Sequence, residues 1–383
     1  MSNKTMKILY HHRIASKDGQ YVHIEEINKS LKGLGHEIIL VAPRMGEDQD
    51  FGGDGGLVSK LKESLPKAVY EIIEFCYSFW AFLKLSIAIL KHKPAFIYER
   101  YNLLNPSGIW AKKLFNLPLL LEVNSPLLEE RSKYDGMSLK KLARWSQDYT
   151  WTNADIVLPV TDVLADYPRA AGVAESKIKV IANGINTAAF IDTVHQSPLS
   201  VDTEDKTVIG FIGFCREWHG LDKIVDLLAA PGNEKLFFLL VGDGPVIASL
   251  NAQASDLNVA DRMYVTGLVE RVDMPKWLVP IDIALQPAVV DYASPLKMLE
   301  YMATAKAIIA PRQPNIEELL EHNVNAWLFD PDSKNAFMDG LNVLVQDAEL
   351  RKRLSAAAKQ SVLDRELTWD GNARQIIAIY EAL

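Results

Sequence analysis

Short, nearly uninterrupted apolar runs recur along this chain about every 20 to 40 residues, with helical periodicity between most of them. A strand apolar at every position is covered on both faces, the condition of a parallel sheet with helices on either side. In the first half the runs fall at residues 8–10, 38–41, 96–98, 119–123, 156–159 and 178–181. Residues 187–206 break the pattern; polar, aperiodic, with Pro198 and four acidic residues, they read as a linker. A second series follows at 208–212, 237–241, 263–265, 283–286, 308–310 and 327–329, and 372–383 reads as a closing helix. The pattern predicts an α/β protein of two doubly wound domains. A length of 383 residues exceeds one ordinary domain and suits two. Open parallel sheets bind ligands at the carboxyl ends of their strands, so the loops there should carry the chemistry.

One such loop leads into Ser294-Pro295-Leu296-Lys297-Met298-Leu299-Glu300. Ser294 reads as an N-cap and Pro295 as a first helical residue. A helix N-terminus carries free N–H groups and partial positive charge, which suits phosphate. Lys297 adds a full charge. Glu300 lies three residues on, on the same face, where it either takes ribose hydroxyls or pairs with Lys297 at the surface.

Composition excludes several classes. The formal charge of −8 gives no basic face for nucleic acid. Two cysteines, Cys76 and Cys215, make no disulfide framework, and a reducing cytoplasm is expected. No secretory signal is expected ahead of residues 7–10. Residues 69–90 are rich in aromatics, but Glu71, Glu74 and Lys84 interrupt the run short of the ~18 residues of a spanning helix. Two placements stay open: a helix buried beside the sheet, or one resting on a membrane interface with Lys60, Lys62, Lys67, Lys91 and Lys93 near anionic lipid.

Other strand-end loops hold candidates. His11-His12-Arg13 follows the first strand, and Asp18-Gly19-Gln20 precedes a helix; Gly19 lets backbone approach a phosphate, or makes a tight turn. There is no G-x-G-x-x-G, and the histidines lack a metal-ligand spacing. The loop from Gly213 to Gly220 holds Arg216, a planar fork suited to a diphosphate, and His219, a further donor. A surface Arg216 paired with Glu217 or a neighbour is the alternative. Val241-Gly242-Asp243-Gly244-Pro245 is a strong turn signal that can also line a site. The backbone of Thr266-Gly267-Leu268-Val269 suits a base edge. Asp48-x-Asp50 and Asp330-x-Asp332 match a short metal-binding pattern of sugar transferases, but turns account for both.

Taken together and in order, these segments resemble the retaining glycosyltransferases of family 4, with the GT-B fold. The resemblance covers nearly the whole chain. Asp18-Gly19-Gln20 with Val22-His23-Ile24 is similar to the family's glycine loop and first helix. Tyr98-Glu99-Arg100-Tyr101 and Leu121-Glu122-Val123-Asn124-Ser125-Pro126 resemble acceptor-side loops of a polysaccharide-biosynthesis subgroup. Asn183-Gly184-Ile185-Asn186 resembles the lead into the second domain. Trp218-His219-Gly220, Val241 to Pro245 and Ser294 to Ala303 resemble donor-domain signatures.

The resemblance implies two Rossmann-like domains facing across a cleft. The first is residues 1–187 with a returning helix at 370–383; the second, 188–369, binds the nucleotide sugar. It implies metal-independent transfer with retention, without a cofactor, from a uridine diphosphate sugar to a glycan or lipid-linked glycan, in the cytoplasm or at the inner membrane face. Arg216 and Lys297 would hold the diphosphate, with the N–H groups of Leu296 and Lys297; Glu300 would bind ribose. Gly19, His219, Gly242, Leu268, Val269 and Ser294 complete the expected donor contacts, and Arg100 and His11 the acceptor side. Departures stand beside this. Tyr292 occupies the place of a glutamate, His219 that of a lysine, and Arg216 is displaced from the usual arginine position. Asn124 replaces a histidine, and an amide orients substrate rather than acting as a base. An epimerase of the same fold, or a non-catalytic nucleotide-sugar binder, are the rival readings.

Overall fold

The computed structural model describes residues 5–14, 19–43 and 64–383. The chain forms two compact units. One comprises Met1–Asn183, Tyr292–Ser294 and Trp369–Leu383; the other, Gly184–Asp291 and Pro295–Thr368. Each is built on one parallel sheet.

The first sheet runs β2-β1-β3-β4-β5, with β1 Lys7–His11, β2 Glu37–Val41, β3 Phe96–Arg100, β4 Leu119–Val123 and β5 Ile156–Pro159. Strands β3 and β4 are buried along their whole length: their apolar runs at 96–98 and 119–121 are covered on both faces, and Glu99, Arg100 and Glu122 are buried toward their carboxyl ends. The run at 178–181 makes no full strand. Ile178 bridges Val157, but Lys179 and Val180 are exposed, so little apolar surface draws this segment onto the sheet. The helix Trp369–Glu381 belongs to this unit. Trp369 packs edge-on against His23, Tyr380 stacks on Phe96, and Asn372 donates to Ala182 O at 2.8 Å.

The helix Lys67–His92 is not simply a buried helix. Glu71, Ser78, Ala81, Leu85 and Ile89 face inward, with Leu85 and Ile89 packed into the core beside Leu9 and Ile97. The opposite face is exposed.

The second sheet runs β11-β10-β9-β6-β7-β8, with β6 Thr207–Ile212, β7 Leu236–Val241, β8 Met263–Val265, β9 Ile283–Leu285, β10 Ala307–Pro311 and β11 Trp327–Phe329. The expected linker is not wholly irregular. Asn186 caps a short helix, Thr187–Phe190, by accepting from Ala189 N–H, and Phe190 anchors it in the interior.

Candidate active site

In the second sheet the strand order reverses between β6 and β9, the place where open α/β sheets take ligands. The two strands pair only at Ile209↔Ile283 and Gly210↔Ala284. Beyond that the Tyr301 hydroxyl spans them, accepting from Ile212 N–H at 3.0 Å and donating to Leu285 O at 3.3 Å. Tyr301 comes from the helix Leu296–Ala303, which therefore starts over the opening between the strands. Its first N–H groups have no intrahelical partner, and no side chain caps it.

Lys297, on the first turn, reaches back to the end of β6. Its ammonium donates to Ile212 O at 3.2 Å and lies 4.3 Å from the centre of the Phe211 ring. Burial lowers its pKa to about 8, against the raising influence of Cys215 and Glu300. Beside it Gly213 has φ +125°, and the place of its missing Cβ is 3.8 Å from the Lys297 ammonium. The buried His219 ring is pushed down to about 4 by burial and then by the Lys297 charge. The neutral ring accepts Arg216 N–H on Nδ1 at 3.0 Å, which leaves the proton on Nε2 as a donor. The Arg216 side chain is exposed over the Phe214 ring, 5.0 Å from its centre. Among the described residues it forms no ion pair with Glu217, contrary to that sequence alternative. Two cations, one neutral ring donor and a helix N-terminus thus gather around one opening.

The neighbouring loops close on one another through backbone. Cys215 N–H donates to Asp243 O at 2.7 Å, and Gly242 N–H to the Thr266 hydroxyl at 3.1 Å. A Cβ on Gly242, at φ +139°, would sit 2.2 Å from Gly213 O, so only glycine permits this approach. Leu268 is exposed and Val269 half-buried in the loop after β8.

One expectation for the helix start needs correction, and one alternative falls away. Ser294 does not cap it; Pro295 holds the cap position. Ser294 instead accepts Asn183 N–H on Oγ at 3.2 Å and Asn183 Nδ2–H on its carbonyl at 2.6 Å. Glu300 does not pair with Lys297. It is buried and accepts a charged hydrogen bond from Arg271, whose guanidinium lies over the Phe190 ring. The sequence offered no sign of Arg271, which reaches Glu300 from a loop 29 residues upstream.

The first sheet also reverses its order, between β1 and β3, and buried charges crowd its strand ends. His11 Nδ1 lies 2.7 Å from Glu99 Oε2. That carboxylate fills the space a Cβ on Gly108 would take, at the first turn of the helix Ser107–Phe115, where a negative charge is favoured. Glu122 is the centre of a second cluster. It accepts from Arg100 Nη1 at 2.7 Å, Tyr98 OH at 2.8 Å and Asn124 Nδ2, and faces His23 Nε2 at 2.9 Å. Burial alone would raise its pKa, but the charges of His23 and Arg100 outweigh it and hold it at about 2. Asn183 Oδ1 lies 2.8 Å from His23 Nδ1, so both ring nitrogens face oxygen atoms. Arg100 and Asn124 are therefore engaged with Glu122, and His11 with Glu99. His23, which orders this cluster, was legible only as part of a helix. Tyr292 donates to Glu130 and accepts from the Thr161 hydroxyl at 2.9 Å through its carbonyl.

Gly19 begins the first helix, Gly19–Gly33; Asp18, Asp48, Asp50, Lys60 and Lys62 lie outside the described residues. Asp330 and Asp332 form a turn, Asp332 N–H donating to Asp330 Oδ1 at 3.0 Å. Among the described residues no three His, Cys, Asp or Glu side chains cluster as metal ligands.

Comparison with known proteins adds the family. Residues 18–184 match a model described as a glycosyl transferase 4-like domain, and residues 196–361 one described as glycosyl transferases group 1. Each half of the chain thus matches a glycosyl transferase model, and the fold is that of the GT-B glycosyltransferases. A 218-residue stretch of this chain is 22% identical to an uncharacterized glycosyltransferase of Methanocaldococcus jannaschii, covering 54% of each chain. Over 188 residues it is 26% identical to the amylovoran biosynthesis glycosyltransferase AmsK of Erwinia amylovora, 45% of this chain and 43% of that one. The matched stretches span about half the length of these curated relatives. The solved structure of Anabaena HepE in complex with UDP-glucose covers 99% of this chain and all of its own, at 18% identity and a TM-score of 0.70; that likeness shows the fold.

Proposed function

We propose that this protein is a retaining, metal-independent glycosyltransferase. It moves a sugar from a uridine diphosphate sugar to a glycan or lipid-linked glycan in envelope or exopolysaccharide synthesis. The observation that carries the reading is the placement of Lys297, beside Gly213 and the uncapped helix start, at the strand-order reversal of the second sheet. A diphosphate seated there meets Lys297, Arg216 and the N–H groups of Leu296 and Lys297. These groups stabilise the charge that grows on the departing nucleotide. Glu300, shared with Arg271, takes the ribose hydroxyls. Leu268 and Val269 offer backbone to the base. HepE, solved with UDP-glucose, and AmsK, named for amylovoran biosynthesis, favour this donor and this acceptor class. Retention rests on the family resemblance. The first unit, with His11, Arg100 and Asn124, takes the acceptor. The experiment is product analysis with UDP-sugars and lipid-linked glycan acceptors, with the anomeric configuration read by NMR. An α-linked product from an α-linked donor is expected. Inversion refutes retention; interconversion of sugars without an acceptor points to an epimerase; binding without turnover points to a non-catalytic binder.

A further inference from the structure

The exposed side of the helix Lys67–His92 is apolar from end to end. Val69, Ile72, Ile73, Cys76, Phe79, Trp80, Leu83, Ile87 and Leu90 follow the three- and four-residue spacing of one helix face. The large hydrophobics among them are each 42–66% exposed. At 1.5 Å per residue the stripe is roughly 30 Å long, and an uninterrupted apolar surface of this length marks an interaction site. The two carboxylates that interrupt the sequence run are turned away from it. Glu71 is buried and accepts from Ser138 N–H at 2.9 Å and Leu139 N–H at 2.6 Å. Glu74 pairs with Arg131 at 2.9 Å. The remaining charges are cationic: Lys84 lies over the Trp80 ring, 5.4 Å from its centre, and Lys91 and Lys93 are exposed at the carboxyl end. Trp110, packed on Phe79, and Trp145, packed on Phe75, widen the stripe with aromatic rings.

We propose that this face docks on an anionic lipid bilayer, the helix lying in the plane of the interface. Aromatic rings beside lysines are the composition of a membrane interface, where rings sit at headgroup level and lysine stems lie along apolar surface. The helix is long and apolar enough to cross a bilayer, but Leu85 and Ile89 are packed into the core of the sheet and Glu71 is bonded inside the protein. A helix surrounded by lipid would lose those partners, so it lies flat. Charge also disfavours a second copy as the occupant. An antiparallel two-fold pairing sets Lys67 against Lys91 and Lys93 and supplies no carboxylate from this face. The inference is independent of the donor chemistry, and it gives the proposed lipid-linked acceptor a surface on which to meet the protein.

Cys76 provides the probe, since it sits on this face while Cys215 is buried. The full chain is mixed with vesicles of phosphatidylglycerol and phosphatidylethanolamine, and sedimentation and alkylation of Cys76 by a water-soluble maleimide are followed. Wild type is expected to sediment with the vesicles, with Cys76 labelled at least about tenfold more slowly. Leu83→Ser with Ile87→Ser and Leu90→Ser, all exposed positions, should leave the melting temperature unchanged and weaken vesicle binding by at least about tenfold. Lys91→Glu with Lys93→Glu should weaken binding to these vesicles and not to phosphatidylcholine. Absence of sedimentation, or equal binding by wild type and the triple serine variant, overturns the proposal. So does a dimer in light scattering that the serine variant abolishes, which would make the face a contact between copies. Resistance of bound protein to an alkaline carbonate wash overturns the in-plane placement.

Discussion

Replacing Glu122 by glutamine should loosen the first sheet in a manner that depends on pH. The carboxylate is 2% exposed and holds four side-chain partners, His23, Tyr98, Arg100 and Asn124. Its pKa is about 2 in the folded protein against an ordinary 4.5, an interval worth about 3 kcal/mol. Stranding Arg100 without its counter-charge gives a similar figure, about 3–5 kcal/mol for one partner removed from a buried pair. The sign follows from the depressed folded value. The stabilisation is fully present above the unfolded pKa near 4.5 and is lost as pH falls toward about 2. Because the two units need not unfold together, the readout is hydrogen exchange of the peptide spanning Leu119–Val123. At pH 7, exchange in Glu122→Gln should be about 100-fold faster than in wild type, the equivalent of about 3 kcal/mol. The stability difference, measured by urea unfolding at successive pH values, should narrow below pH 4.5. A difference under about 1 kcal/mol, or one that does not change with pH, would refute the reading of Glu122 as an ionised hub.

Gly242→Ala should strain the loop by about 1–3 kcal/mol and weaken nucleotide binding together with stability; an unchanged melting curve would show that the loops after β6 and β7 yield more easily than their backbone contact implies. Lys297→Ala or Arg216→Ala should each lower turnover by ~100-fold or more, the scale for losing a donor to developing charge. Chelation by EDTA should leave wild-type turnover intact, and loss of activity restored by Mn²⁺ would reverse the metal-independent mechanism. Nucleotide affinity should hold steady below the Lys297 value of about 8 and decline above it as the ammonium loses its proton. In Lys297→Met, calorimetric titration should give a flatter profile across that range, and an identical decline would assign the titration to another group.

The fold was legible because its strands carry their own signal. Runs such as Leu119–Val123 and Leu236–Val241 are buried at every position, and no other environment suits them. The loops carrying Arg216, His219 and Lys297 were legible because they follow such runs. What lay hidden was long-range pairing. Arg271 meets Glu300, and His23 joins Glu122 to Asn183 across 99 and 160 residues of sequence; no local spacing encodes such contacts. Ser294 read as a helix cap because its residue type is right, but Asn183 claims its hydroxyl. Residues 69–90 misled in the opposite sense. Glu71 and Glu74 interrupt the apolar run in the sequence, yet on the helix they face inward and leave the outer surface apolar.

The placement of a nucleotide diphosphate around Lys297 is tested most directly by thermal shift against a panel of UDP-, GDP-, ADP- and TDP-sugars, with wild type and Lys297→Ala run side by side. Saturating donor should raise the wild-type transition by roughly 5–10 °C, the effect of about 3 kcal/mol of binding on a unit of this size. UDP-sugars should give the largest shift, and Lys297→Ala should lose most of it. No shift with any nucleotide sugar, or the same shift in Lys297→Ala, would contradict the assignment.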